Sequence, residues 1–260
     1  MTKAIILAAG QGTRLRPITN DKPKCLTPLN GKSLLARQTE VLKEAGINDI
    51  QVIGGYRMDQ IQNLGYSCIE NPDYASTNMV TTLFCARGVM NDSEDLLIGY
   101  GDIIYQRNNL EALLNTEAEI ALMIDKDWRQ LWELRLDNPL EDAETLKLSE
   151  TGSVLELGKK PKSYADIEGQ YTGLIKIRKD KVNEFIQFYD DLNQENFYDG
   201  QDFFNMYMTS FLQQLIDANW EVKAAVVSNG WLEIDSVSDL ETYQELEDKG
   251  QLKPYCDLGD

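Results

Sequence analysis

The sequence predicts an α/β fold: a mostly parallel central sheet flanked by helices, with a mixed β lid insertion at about residues 118–178. Three observations point there. Short apolar runs alternate with amphipathic stretches, the pattern of strands covered on both faces. Between about 118 and 178 the texture changes to closely spaced strand candidates with turn signals. Finally, 260 residues with 42% apolar content suffice for one large core. No repeat, low-complexity linker or composition break divides the chain, so a single domain over 1–260 is expected.

The elements follow in order. Lys3 to Ala9 reads as a fully buried strand that opens into a polar loop running to Lys32. Leu34, Leu35, Gln38, Val41, Leu42 and Ala45 recur at helical spacing, and Gly46 is placed to end that helix. Ile50 to Ile53 is the next strand, stopped by Gly54-Gly55. A short strand at Ser67 to Glu70, a helix from about Ser76 to Val89 and a strand at Leu96 to Tyr100 continue the alternation. In the insertion, strands are expected at Ile120 to Ile124, Leu146 to Leu148, Val154 to Leu157 and Tyr171 to Ile177, an antiparallel or mixed extension of the sheet. Helices near Lys179 to Leu192 and Asp202 to Ala218, a strand at Glu221 to Val227 and a last helix from about Val237 to Lys249 complete the chain.

Composition excludes several classes of function. Against 25 basic residues stand 43 acidic ones, a formal net charge of -18, which repels nucleic acid and anionic membrane surfaces. The absence of histidine removes every hydrolase mechanism that uses a Ser-His or Cys-His pair. Cys25, Cys68, Cys85 and Cys256 form no CxxC pair, so a zinc site is also not expected. With no leader-like segment and no apolar run near the ~18 residues of a membrane span, a cytoplasmic location is expected.

The stretch "AIILAAGQGTRLRPIT" carries the chemistry. The dinucleotide fingerprint needs a third glycine and an immediate helix. Here Thr13-Arg14-Leu15 follows Gly12, and Pro17 resists a helix. A Walker pattern ending at Gly31-Lys32-Ser33 fails because its first glycine falls on Leu26. What remains is a buried strand that delivers glycines and cations onto one loop, where bare backbone N-H groups and Arg14 can meet phosphate oxygens. Lys24 follows ten positions after Arg14 on the same loop. Asp102 ends the strand of "LLIGYGDII", and Asp235 in "WLEIDSVSDLE" precedes a helix. A carboxylate at a strand's carboxyl end can hold Mg2+, although Asp235 beside Ser236 could equally serve as a helix cap.

Taken together, "LAAG", "GTRLRPIT", "KPKCLTPLNGKSLL" and the later aspartates resemble the nucleotidyltransferases that join a nucleoside triphosphate to a sugar phosphate or a small phosphorylated alcohol. The resemblance implies a Rossmann-like, nucleotide-diphospho-sugar transferase-like sheet and Mg2+ as cofactor. It also implies a nucleotide site of Leu7, Ala8, Ala9, Gly10, Gly12, Thr13, Arg14 and Lys24, with Arg14, Lys24 and Asp102 in catalytic roles and Asp102 and Asp235 on the metal. "NPDYASTNMVTTLFCAR" departs from the sugar-nucleotide pattern and is similar to the phosphocholine and aminoethylphosphonate cytidylyltransferases. Asn78 there either hydrogen-bonds a pyrimidine or caps a helix.

For the acceptor, a small phosphorylated or phosphonate molecule, the expected contacts are Trp128 as an aromatic wall, Glu168 as counter-charge to a cation and Lys160 for the phosphoryl group. Trp132 and Tyr171 read better as lid core. The expected reaction is CMP transfer from CTP with release of pyrophosphate. The competing readings are a sugar-1-phosphate uridylyl- or thymidylyltransferase and a non-catalytic nucleotide-binding regulator.

Overall fold

The computed structural model describes residues 2–259. In chain order the elements are strand β1 (Thr2–Ala8), the small hairpin β2 (Pro28–Leu29) and β3 (Lys32–Ser33), and helix α1 (Leu34–Glu44). Next come β4 (Asp49–Gly54), α2 (Met58–Asn63), β5 (Ser67–Glu70), α3 (Met79–Phe84), β6 (Asp95–Tyr100), β7 (Ile103–Tyr105) and α4 (Arg107–Asn115). Then follow β8 (Ile120–Asp125), α5 (Trp128–Arg135), β9 (Leu146–Leu148), β10 (Val154–Leu157) and β11 (Gln170–Ile177). The chain closes with α6 (Val182–Asp191), α7 (Met208–Asp217), β12 (Val222–Val227), β13 (Trp231–Glu233) and α8 (Val237–Asp248).

Seven strands form one sheet in the order β12-β8-β11-β6-β1-β4-β5. All neighbours run parallel except β11, which is antiparallel to both β6 and β8. The interior strands bury residues on both faces, which separates the core into two clusters, one above and one below the sheet. That two-sided burial is why Lys3 to Ala9 and Ile120 to Ile124 read as continuous apolar runs rather than as alternation.

The expected lid at 118–178 is smaller than its sequence limits. β8 and β11 are built into the sheet itself, because both are buried on two faces, and only the segment between them, with α5 and the β9–β10 hairpin, stands outside. α5 was not expected within this segment. It is short and charged, yet Trp128, Leu131 and Trp132 put one apolar stripe into the core.

Helix α3 is shorter than the expected 76–89. Ser76 turns back onto Asp73, and Asn78 starts the helix by accepting from the Met79 N-H. The helices near 179–192 and 202–218 likewise begin late, at Val182 and Met208, each after a single 3-10 turn. α1 is capped by Ser33, whose hydroxyl accepts from the Ala36 N-H at 3.2 Å. Its buried Gln38 donates to the Tyr100 carbonyl at 3.0 Å, bracing the carboxyl end of β6. No described helix is long and apolar enough to cross a membrane.

Candidate active site

The carboxyl ends of β1 and β6 lie side by side, and the loops leaving them set the site. Gly101 lets them approach: a Cβ there would sit 2.6 Å from the Leu7 carbonyl oxygen. Gly12 turns the phosphate-loop candidate with φ at +64°, and its carbonyl accepts the Thr19 hydroxyl at 2.7 Å.

Lys24 reaches from this loop to the end of β6, where its Nζ donates to Asp102 Oδ2 at 2.6 Å and also to Asp235 Oδ1. Burial opposes the lysine's charge, but Asp102 and Asp235 outweigh it and hold its pKa above the ordinary lysine value. Asp235 is desolvated too, and Lys24, Arg14 and Arg135 nevertheless hold its carboxyl below the usual range. Arg14 meets the same carboxylate from the exposed side at 3.1 Å.

Glu233 completes the group. One carboxylate oxygen each from Asp102, Glu233 and Asp235 lies within 4.8 Å of the others. Asp102 Oδ1 is buried without a partner. An orphaned oxygen beside two further carboxylates is a donor set of the kind hard divalent cations take. Burial and the neighbouring Asp235 raise the Glu233 pKa well above the carboxylate range, and Arg135 limits the rise.

Arg135 is itself nearly inaccessible. It donates to Glu233 at 2.8 Å and to Asp239 at 3.1 Å, and it pairs with Asp235 at 3.5 Å. The helix-cap alternative for Asp235 goes to its neighbours. Ser236 caps α8 in a capping box with Asp239, which leaves the Asp235 side chain to the cations.

Two cavities meet at this cluster, sharing Met79 and Tyr100. The first is lined by Leu7, Ala8, Ala9, Gly10, Lys24, Asn78 and Asp102, together with Tyr74 and Thr82. Gly12 and Thr13 line neither cavity, and Arg14 lines the second rather than the first. Asn78 caps α3 at 2.8 Å and also lines the first cavity.

The second cavity is lined by Arg14, Glu233 and Asp235 together with Asp142, Glu144 and Tyr171. The expected acceptor residues are not brought together there. Trp128 is buried in the core against Trp132 and Tyr164. Lys160 spends its ammonium on the Leu140 and Glu141 carbonyls, and Glu168 accepts the Leu148 N-H to brace the hairpin. Trp132 is buried in the core and Tyr171 packs against it, as expected, and both also line the cavity, with the Trp132 indole donating to Asp142 at 3.0 Å.

Sequence reasoning missed Glu233 and Arg135. Glu233 stands two residues before Asp235 in extended backbone, so the period of two that puts both on one face was available. No local signal marks Arg135, because its partners are about a hundred residues away.

A family model described as the MobA-like NTP transferase domain matches residues 4–148. The chain belongs to this family. It is 46% identical, over 93% of its length and 99% of the relative's, to the CTP:phosphoglutamine cytidylyltransferase of Campylobacter jejuni. It is 45% identical over 95 residues to the choline-phosphate cytidylyltransferase of Streptococcus pneumoniae, covering 35% of this chain and 42% of that one.

Two solved structures share the fold of this nucleotidyltransferase. The CTP:phosphocholine cytidylyltransferase from Streptococcus pneumoniae matches with TM-score 0.72 at 24% identity, over 95% of this chain and 99% of that one. The inositol-1-phosphate CTP transferase from T. maritima matches with TM-score 0.73 at 23% identity, over 99% and 98%.

Proposed function

We propose that this nucleotidyltransferase is an Mg2+-dependent cytidylyltransferase that moves CMP from CTP to a small phosphorylated or phosphonate acceptor and releases pyrophosphate. One observation carries the reading: two cavities, one lined by the β1 strand end and one by the inserted segment, open on the same carboxylate cluster beside Lys24 and Arg14. A nucleotide on one side and an anionic acceptor on the other would meet there. The similarity to the phosphoglutamine enzyme along nearly the whole chain supports CTP as donor and makes phosphoglutamine the first acceptor to test.

In the reaction an acceptor phosphoryl or phosphonate oxygen attacks the α-phosphorus of CTP, and the bond from that phosphorus to the bridging oxygen breaks, with the electron pair leaving on pyrophosphate. The nucleophile is already an anion, so no general base is needed, and the lack of histidine costs nothing. The Leu7 to Gly10 backbone and Asn78 face the nucleoside. Lys24 turns its ammonium to the triphosphate, and Arg14 draws the acceptor's phosphoryl group toward the cluster, neutralising charge as the anions close. Asp102 and Asp235, with Glu233 beside them, would hold the metal, which when bound neutralises phosphate charge and aligns the phosphates.

The test is pyrophosphate release from each nucleoside triphosphate with Mg2+ and a panel of phosphoglutamine, phosphocholine, phosphoethanolamine, aminoethylphosphonate and sugar 1-phosphates. Release with CTP that chelation abolishes is expected. Release only with UTP or dTTP would overturn the cytidylyl assignment.

A further inference from the structure

Two kinds of cation face the carboxylate cluster. Arg14 meets Asp235 with a side chain that is 67% exposed, and Lys24 reaches in from the loop after β1. Arg135 is of a different kind. It is the last residue of α5, its side chain is only 4% exposed, and its guanidinium lies 5.4 Å from the centre of the Trp132 ring. Asp239 holds it with both oxygens, at 3.1 and 3.4 Å. Asp239 is fixed in turn, because its Oδ2 accepts the backbone N-H groups of Asp235 and Ser236 at 2.9 Å each. A planar fork gripped by one carboxylate and covered by an indole keeps a single orientation.

That orientation decides what the remaining N-H groups do. Nη1 donates to Glu233 Oε2 at 2.8 Å, and Nη2 stands 3.5 Å from Asp235 Oδ2. Glu233 and Asp235 thus each turn one oxygen to the guanidinium and keep the other free of it. For Asp235 the other oxygen is Oδ1, the one that Arg14 and Lys24 contact. Among the described residues no second cation pairs with Glu233. Asp102 adds an oxygen of its own, Oδ1, buried without a partner.

We propose that Arg135 is a positioning residue that restricts Glu233 and Asp235 to one ligand oxygen each, and that it thereby selects a small octahedral cation over a larger one. Ca2+ fills a shell of about six to eight oxygens and readily takes both oxygens of one carboxylate. Mg2+ takes few carboxylates and completes its octahedron with water and phosphate oxygens. An oxygen already turned to a fixed positive charge is a poor ligand for a second cation. For Ca2+ to claim it, Arg135 must leave Asp239 behind, which breaks a buried pair. Since α5 belongs to the inserted segment and its Trp132 lines the second cavity, the metal preference is imposed from that side of the molecule.

The proposal rests on the cluster being the metal site of the proposed transfer, and its test separates the two. Calorimetric titration of the full chain with MgCl2 and with CaCl2 needs neither nucleotide nor turnover. Wild type is expected to bind Mg2+ at least as tightly as Ca2+. Arg135→Lys keeps the charge but not the fork, so it is expected to weaken Mg2+ by roughly tenfold or more while Ca2+ changes little. A wild type that prefers Ca2+ overturns the proposal. So does a variant in which both affinities fall by the same factor, the result of a merely structural role. Should the variant fail to fold, infrared difference spectra of wild type with and without Mg2+ decide: the wide carboxylate splitting of one-oxygen ligation supports the proposal, and the narrow splitting of two-oxygen ligation overturns it. Binding of neither ion sinks the metal site together with the proposal. A preference that depends on Arg135 in a protein releasing no pyrophosphate from CTP sinks only the cytidylyl reading.

Discussion

Replacing Lys24 with methionine keeps the aliphatic stem and removes the ammonium that joins Asp102 to Asp235. Asp235 retains Arg14 and Arg135, but Asp102 then keeps no cationic partner among the described residues, and its Oδ1 is already orphaned. The side chains of Lys24, Asp102 and Asp235 are 15%, 23% and 13% exposed, so the loss belongs at the low end for breaking a buried pair, about 3 kcal/mol. With a melting entropy near 0.5 kcal/mol/K for a chain of this size, that is a fall in Tm of about 5–6 °C. The sign follows from linkage. A lysine whose native pKa is raised contributes stability that is complete below its unfolded value and is lost only at higher pH, so neutral buffer shows the full effect. Thermal melts with a chelator and with millimolar Mg2+ make the assay. The deficit of Lys24→Met should close as the metal supplies the missing positive charge. A variant as stable as wild type in chelator, or one whose deficit Mg2+ leaves unchanged, would refute the idea that Lys24 and a divalent cation neutralise the same carboxylates.

Asp102→Asn and Asp235→Asn should each lower turnover by roughly a hundredfold or more and weaken Mn2+ binding to the free protein, with circular dichroism unchanged. Near-normal rates in both would displace the metal site. Gly101→Ala should cost about 1–3 kcal/mol, because its Cβ meets the Leu7 carbonyl and the Ala8 Cα, backbone atoms that cannot swing away. A melting curve and the KM for CTP read both consequences, and an unchanged KM would separate the strand contact from the nucleotide cavity.

What sequence alone determined is local and periodic. Apolar runs such as Lys3 to Ala9 declare strands buried on two faces, the spacing from Leu34 to Ala45 declares α1, and the glycines and cations around Arg14 and Lys24 declare a loop made for anions. These features depend on residues close together in the chain, where periodicity and turn chemistry are decisive. Tertiary structure decided the rest. It inserted β11 antiparallel between β6 and β8, carried Arg135 about a hundred residues across the sequence to Glu233 and Asp235, and turned Trp128, Lys160 and Glu168 to packing and bracing. Arg135 shows the reason most plainly. Nothing in its neighbours along the chain distinguishes it, because the carboxylates that give it a role, Glu233, Asp235 and Asp239, come beside it only when the chain folds.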